Sequence, residues 1–515
     1  MRLNRKDFLK LVGQGTAASM AAASVGGAVP VAAQMPAAAP ARQKKEVRGN
    51  AIKGTTDAVR RFIATSSLRE MPPNVVTEGK RCLIDNVGVL LAGSTAEGSH
   101  ILRQYAQKSS GAKEATVLGR EPIVVSAAHA ALANAGSAHA LDYDDTQLST
   151  TPDRTFGLLT HPTTPALSAA LAVAERGGAS GAAFLEAYLT GVEVECKMAE
   201  AIDPNHYERG FHSTGTFGVF GAAAAAGKLM KLNEAQLAHM LAIAASLSAG
   251  IRVNFGSMSK PLNAARASEN GVFAAEIASH GFTGGDNGLD GQWGFFQVLG
   301  DGADLDRVIG KLGKPWSIVN PGVSFKPYPC GSLSHPSMDA MMKVVKDHDL
   351  KPAQIKAVRL RAGNNILEPL RYGVAKNELE AKFSVPFLMS AVILTRRAGM
   401  REFTDEFVQS PAAQQMMQRV TAVHDLEIEK RGFDKIRSVV EVDLVDGRKL
   451  VQPSDDRYRG GPDNPFTRED LKAKFDDCAS LVLAQDRLTP VFTAIESIDS
   501  MADIRQLVRM LAPRT

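Results

Sequence analysis

The chain is poor in cysteine. Its 515 residues hold four, Cys82, Cys196, Cys330 and Cys478, each more than 100 residues from the next. No CxxC or ferredoxin-like spacing exists, which argues against an iron–sulfur cluster of the aconitase kind, and the four read as free, mostly buried thiols. Aromatic residues are also scarce, at 6%, and no lysine–arginine stripe interleaves with them. With a formal net charge of only +4, nothing points to a nucleic-acid partner. There is no HExxH run and no paired-histidine spacing, so no zinc site is expected, and no nucleotide or flavin motif is present. The first apolar stretch, Leu11 to Val29, is interrupted by Gly13, Gln14 and Ser19, too polar for a good membrane span. No solenoid-like repeat occurs.

What is present begins with a leader. Asn4-Arg5-Lys6-Asp7-Phe8-Leu9-Lys10 resembles a twin-arginine export motif with lysine in the second basic position. Small residues at Val31-Ala32-Ala33 offer a cleavage point near Gln34. Residues 1–34 are therefore read as a signal peptide and 35–54 as a flexible linker, rich in alanine and proline and then basic. The expected location is the periplasm, with the cytoplasm as the alternative and no stable membrane insertion after the signal is removed.

The remaining length suffices for a large core and more than one domain. From Asp57 to about Gly310 the pattern reads as helix after helix. Pro73 opens one, Val76, Leu83, Val87 and Leu90 repeat at helical spacing, and Gly93 closes it. Runs of small residues at Ala130–Leu141 and Ala222–Ala226 suit close helix packing. Beyond Pro321 the period changes. Val358 and Leu360 alternate with arginines, and Val440, Val442 and Leu444 with acids, before an Asp446-Gly447 hairpin signal. Glu380 to Thr395 returns to helix. After Pro465, Thr467 caps a helix from Arg468, and Ile504, Leu507, Val508 and Leu511 form a closing stripe. The fold class expected is mainly α, a large all-helical domain (55–320) interrupted by a smaller α+β domain (321–460), with 461–515 as C-terminal helices.

The chemistry concentrates in Ala138-His139-Ala140-Leu141-Asp142-Tyr143-Asp144-Asp145-Thr146, followed by Thr160-His161-Pro162. Carboxylates beside imidazoles are equipment for moving protons near neutral pH. Three later segments carry more of it. These are Gly210-Phe211-His212-Ser213-Thr214-Gly215, Phe255-Gly256-Ser257-Met258-Ser259-Lys260-Pro261 and Ser324-Phe325-Lys326-Pro327-Tyr328-Pro329-Cys330-Gly331. Together the four resemble, in order and separation, the MmgE/PrpD family of 2-methylcitrate dehydratases, cis-aconitate decarboxylases and iminodisuccinate epimerases. The resemblance runs from about Thr55 to the C-terminus.

That resemblance implies a last set of helices returning to the first domain, an α+β lid and a homodimer. It implies a cofactor-independent lyase acting on a small di- or tricarboxylate by proton transfer next to a carboxylate, dehydratase-like in the first place and decarboxylase-like otherwise. The alternatives are an isomerase of the iminodisuccinate-epimerase type and a carboxylate-binding protein without turnover. Residue by residue it assigns His161 as principal proton donor or acceptor, with Asp142 as its orienter. His212 would be a second proton-handling group, and Lys260 and Lys326 would hold carboxylates. Thr146 and Tyr372 would also meet the substrate. No metal is expected among these residues. Departures are visible: Ser213 where the family commonly has proline, and Pro261-Leu262-Asn263-Ala264-Ala265-Arg266 without the His and Gly of P-L-H-A-G-R. The connection from Thr146 to His161 is longer than in the decarboxylase and includes Asp153 and Arg154.

The leader generates a direct expectation. Protein recovered from cells should begin near Gln34 and appear in a periplasmic fraction. Intact Met1 to Gln34 with no periplasmic protein would contradict it.

Overall fold

The computed structural model describes residues 54–148, 160–202, 205–300, 303–432 and 435–512. The leader, almost all of the linker, and the Asp153 and Arg154 loop lie outside the described residues. No helix among those described is long and apolar enough to cross a membrane.

The small-residue runs become tightly packed helices. The first part comprises α1 (Thr55–Thr65), α2 (Pro73–Gly93), α3 (Glu97–Ser109), α4 (Ala127–Ala140), α5 (Thr163–Gly177), α6 (Gly181–Ile202), α7 (Ser213–Leu229), α8 (Glu234–Leu247) and α9 (Ser259–Ser279). A side chain at Gly271 of α9 would come within 2.4 Å of Ala222 Cβ on α7, so these two helices approach nearly backbone to backbone. This segment is not helical throughout. Strands β1 (Ala115–Val117) and β2 (Ile123–Val125) form an antiparallel pair between α3 and α4. The β-branched Thr116, Val117, Ile123, Val124 and Val125 flank a turn containing Gly119 and Pro122, a pattern that favours strands.

The second part builds a separate core around a sheet of order β4-β3-β5-β6, with β3 at Ile355–Ala362, β4 at Val420–His424, β5 at Ser438–Leu444 and β6 at Lys449–Pro453. Strands β3 and β4 are parallel, and the other neighbours antiparallel. Gly447, at φ 92°, makes the β5–β6 turn. Val358, Leu360, Val440 and Val442 face a core shared with α10 (His335–Asp347) and α11 (Val385–Thr395). The helix expected from Glu380 is broken. A short turn ends at Ala381, and α11 starts anew where Ser384 accepts from the Phe387 amide and Pro386 occupies the first turn.

The chain then returns to the first core through α12 (Arg468–Ala479), α13 (Gln485–Glu496) and α14 (Arg505–Leu511), burying Leu471, Phe475, Phe492 and Leu507 there. Thr467 caps α12 in a reciprocal box with Asp470. Two contacts of this return matter for the site. Lys474 of α12 pairs with buried Asp85 of α2 at 2.7 Å and donates to the Tyr143 carbonyl at 2.8 Å. Gly460, at φ 83°, accepts from the Phe325 amide at 2.8 Å, where any side chain would come within 2.0 Å of the Phe325 carbonyl. The turns carrying Asp142 and Lys326 are thus clamped by the same returning segment.

Candidate active site

Four helix ends meet at one cavity between the two cores. Asp142 follows the C-terminus of α4. His161 directly precedes Pro162 and α5, His212 is the N-cap of α7, and Lys260 lies in the first turn of α9. Three helix N-termini, each carrying partial positive charge, therefore converge where an anion is expected. Lys326 enters from the loop before α10. The cavity is small, about 50 Å³, and Asp142, Thr146, His161, His212, Lys260 and Lys326 all line it. The opposite wall is apolar, with Leu148, Phe255, Leu333, Leu370 and Phe383. Phe255 and Phe383 also present their rings to the Lys260 ammonium at 5.3 and 5.5 Å.

Asp142 is the hub. It adopts a left-handed backbone, φ 51°, rare for a residue with a side chain. Its Oδ1 accepts from Lys260 Nζ at 2.7 Å and Lys326 Nζ at 2.6 Å, and Lys326 also donates to the Asp142 carbonyl at 2.9 Å. Burial opposes ionisation, but the two ammoniums overcome it and hold this carboxyl well below the usual range. Burial in turn lowers Lys260, against the pull of Asp142.

The neighbouring aspartates have different partners. Asp144 accepts from Thr164 Oγ1 at 2.7 Å, contacts His139 Nδ1 at 2.9 Å and lies 3.3 Å from His161 Nδ1. Burial opposes its charge too, yet His139 and His161 hold it a carboxylate. Asp145 accepts from Thr163 Oγ1 at 2.6 Å, and burial without a cation raises it well above the carboxylate range. Three acids in one turn thus stand beside lysine, histidine and threonine.

Burial keeps the imidazoles neutral. It pushes His161 down to about 3 and His212 well below its ordinary value, with Lys260 adding to the shift at His212. Asn263, at a departure from P-L-H-A-G-R, places its amide nitrogen 3.1 Å from His212 Nδ1. An amide N–H donating there leaves the proton of His212 on Nε2. His139, a member of the acidic run to which the sequence assigns no role, places its ring 4.4 Å from that of His161. Its signal was positional, on the last turn of a helix immediately before the aspartates.

Tyr372 does not join this wall. Its hydroxyl donates to the Phe255 carbonyl at 2.9 Å, behind the cavity lining. Thr146 contributes through its backbone pairing with Ser324, which aligns the Asp142 and Lys326 segments, and through an Oγ1 bond to the Thr160 carbonyl at 3.1 Å. His139, Asp142, Asp144 and His161 bring four donor atoms within 4.8 Å of one another. That spacing would suit a divalent cation, but two ammoniums already hold Asp142 Oδ1, so the set fits proton transfer better than metal ligation. A larger cleft of about 600 Å³ involves Lys343, Arg397 and Arg459, and it shares none of the candidate site residues. Within it Lys343 pairs with Asp347, and Arg397 with Glu402.

Comparison with known proteins decides the family. The MmgE/PrpD N-terminal domain matches residues 58–308 and the MmgE/PrpD C-terminal domain residues 328–494. The chain belongs to the MmgE/PrpD family. Among its relatives, cis-aconitate decarboxylase of Mus musculus is 27% identical over 473 residues, 89% of this chain and 94% of the relative. The enzyme of Homo sapiens is 26% identical over 471 residues, 89% and 95% of the two chains. A cis-aconitate decarboxylase-like protein of Aspergillus oryzae is 25% identical over 465 residues, 86% and 94%. The five charged or imidazole side chains lining the cavity all fall within or between the two matched domains of this MmgE/PrpD chain.

The buried imidazoles set a pH dependence of stability. His161 and His335 are both lowered by burial to about 3, below the 6.5 of an unfolded histidine. The unfolded chain therefore takes up protons first as the pH falls below that value, so stability present above it is lost on acidification. Each such histidine is expected to cost about 2 kcal/mol between pH 7 and pH 5. Urea midpoints at the two pH values check this, and an unchanged midpoint would contradict neutral buried imidazoles.

Proposed function

We propose that this MmgE/PrpD chain is a cofactor-independent lyase acting on a small polycarboxylate, with decarboxylation as the favoured reaction. The observation that carries it is a pair of lysines on one aspartate, facing two neutral imidazoles across a single cavity. The relatives named cis-aconitate decarboxylase favour carbon dioxide, rather than water, as the group lost.

A substrate carboxylate would share the Lys260 and Lys326 ammoniums with Asp142, at the convergent helix N-termini. As the C–C bond to a second carboxylate breaks, its electron pair stays on carbon and carbon dioxide departs. The two ammoniums stabilise that carbanion-like charge, and they do so in a low-dielectric site where the effect is large. A proton then closes the reaction at carbon. His161, with Nδ1 towards Asp144, presents the Nε2 lone pair, which takes up a proton from solvent and passes it to carbon, while His212 carries its own proton on Nε2 under the Asn263 amide. Asp142 lies 3.7 Å from His161 Nε2, close enough to orient a proton moving there. The proposal extends to a homodimer and to export of the mature chain, which rest on the family resemblance and on the leader sequence.

Carbon dioxide release from cis-aconitate and related di- and tricarboxylates tests this reading. His161→Ala is expected to lower kcat roughly 10²–10⁴-fold. Lys260→Ala should damage both KM and kcat, since its charge meets the ground-state carboxylate and the later carbanion. His424→Ala, on β4 beside Glu429, should change little. Tight binding across the panel without turnover would overturn the lyase reading. Near-normal turnover by His161→Ala would overturn the assignment of the proton.

A further inference from the structure

We infer that His139 is a positioning residue for proton transfer: held by Asp144, it restrains the carboxylate that orients His161. The inference rests on the proton-transfer role proposed for His161.

His139 sits on the last turn of α4 with its side chain wholly enclosed. Its Nδ1 lies 3.0 and 2.9 Å from the two oxygens of Asp144. A carboxylate only accepts, so Nδ1 carries the hydrogen and Nε2 the lone pair. The same Asp144 reaches His161 Nδ1 at 3.3 Å, and Thr164 Oγ1 pins its Oδ2. One carboxylate therefore bonds one imidazole and lies beside a second, whose Nδ1 makes no hydrogen bond among the described residues. The His139 ring meets His161 edge-on at 4.4 Å and stacks on His212 at 5.7 Å, so a single residue touches both rings that line the cavity.

The other nitrogen marks this as more than a core contact. Among the described residues, the buried His139 Nε2 has no hydrogen-bond partner. Leaving a buried acceptor unpaired costs about 1–3 kcal/mol, which a purely structural position would avoid with an apolar side chain. Here the ring has a task that needs its Nδ1–H. It occupies Asp144, so that the carboxylate orients His161 without binding it as a full ion-pair partner. The charged and titratable groups around the two rings are Asp142, Asp144, His212, Lys260 and Lys326, with the Asp85–Lys474 pair of α2 and α12 behind Asp144.

Removing the ring should let Asp144 turn fully to His161 and raise the proton affinity of that imidazole. For His139→Ala we expect kcat to fall by up to about 100-fold, the cost of misplacing a reacting group, with KM little changed. The acid limb of the kcat profile should move up towards neutral pH. His139→Asn, whose amide can donate from near the Nδ1 position, should return the limb towards its original place. Unchanged kcat and limb, or a change confined to KM, would overturn the inference. The wild-type enzyme offers a readout free of substrate and of variant folding: nitrogen-15 NMR of labelled histidines. His139 should show the Nδ1–H tautomer and titrate below an ordinary histidine, as its burial dictates. The Nε2–H tautomer, or ordinary titration, would overturn the inference whether or not the lyase reading holds.

Discussion

One oxygen of one aspartate organises this molecule's chemistry. Asp142 Oδ1 receives two ammoniums from segments 66 residues apart, Lys260 on α9 and Lys326 in the loop leading to the second core. Neither lysine could be buried alone, because an unpaired ammonium in a dry interior is far too costly. Nor could Asp142, which also holds a left-handed backbone. The three charges make one another's burial tolerable and carry one net positive charge among themselves at the cavity wall, balanced by the Asp144 carboxylate outside the lining. The rest of the architecture serves that arrangement. The helices α5, α7 and α9 bring their N-termini to it, and the returning α12 clamps the Asp142 turn through Lys474.

The turn after α4 shows how position separates like groups. Asp142, Asp144 and Asp145 are chemically identical and nearly adjacent, yet one meets lysines, one imidazoles and one a threonine hydroxyl. Two stay anionic, and Asp145 is pushed towards the neutral form. Divergent environments of this kind let one site both hold an anion and handle a proton. The apolar wall of Leu333, Leu370 and Phe383 comes from the second core, so the two cores contribute different halves of the recognition problem.

Where a signal is local, the sequence carried it well. Pro73 and Gly93 bound α2, Thr467 caps α12, and Asp446-Gly447 turns β5 into β6. The two-period pattern also anticipated helices followed by an α+β region. The misses arose where local preference was weak or split. The β1–β2 pair is only three residues per strand, too short for its alternation to stand out among helices. The break before α11 depended on Ser384 and Pro386 acting together as a helix start within an apolar run. In the site, Asp142, His161, His212, Lys260, Lys326 and Thr146 were legible because each lies in a motif. Tyr372 lies in a weaker one, and its hydroxyl is engaged by the Phe255 carbonyl. His139 carries only a positional signal, five residues before the Asp144 it contacts, and Asn263 gains meaning from a contact 51 residues away that no single-sequence pattern reports.

Neutral imidazoles beside the Asp142–lysine cluster are expected to exchange a proton with substrate carbon. Incubating the enzyme with polycarboxylates in deuterium oxide and following each carbon by NMR tests this most directly. Deuterium should enter a single carbon adjacent to a carboxylate or its departed site, dependent on His161 and accompanied by loss of carbon dioxide. Binding of those acids with no deuterium entering any carbon, or equal incorporation in His161→Ala, would contradict it.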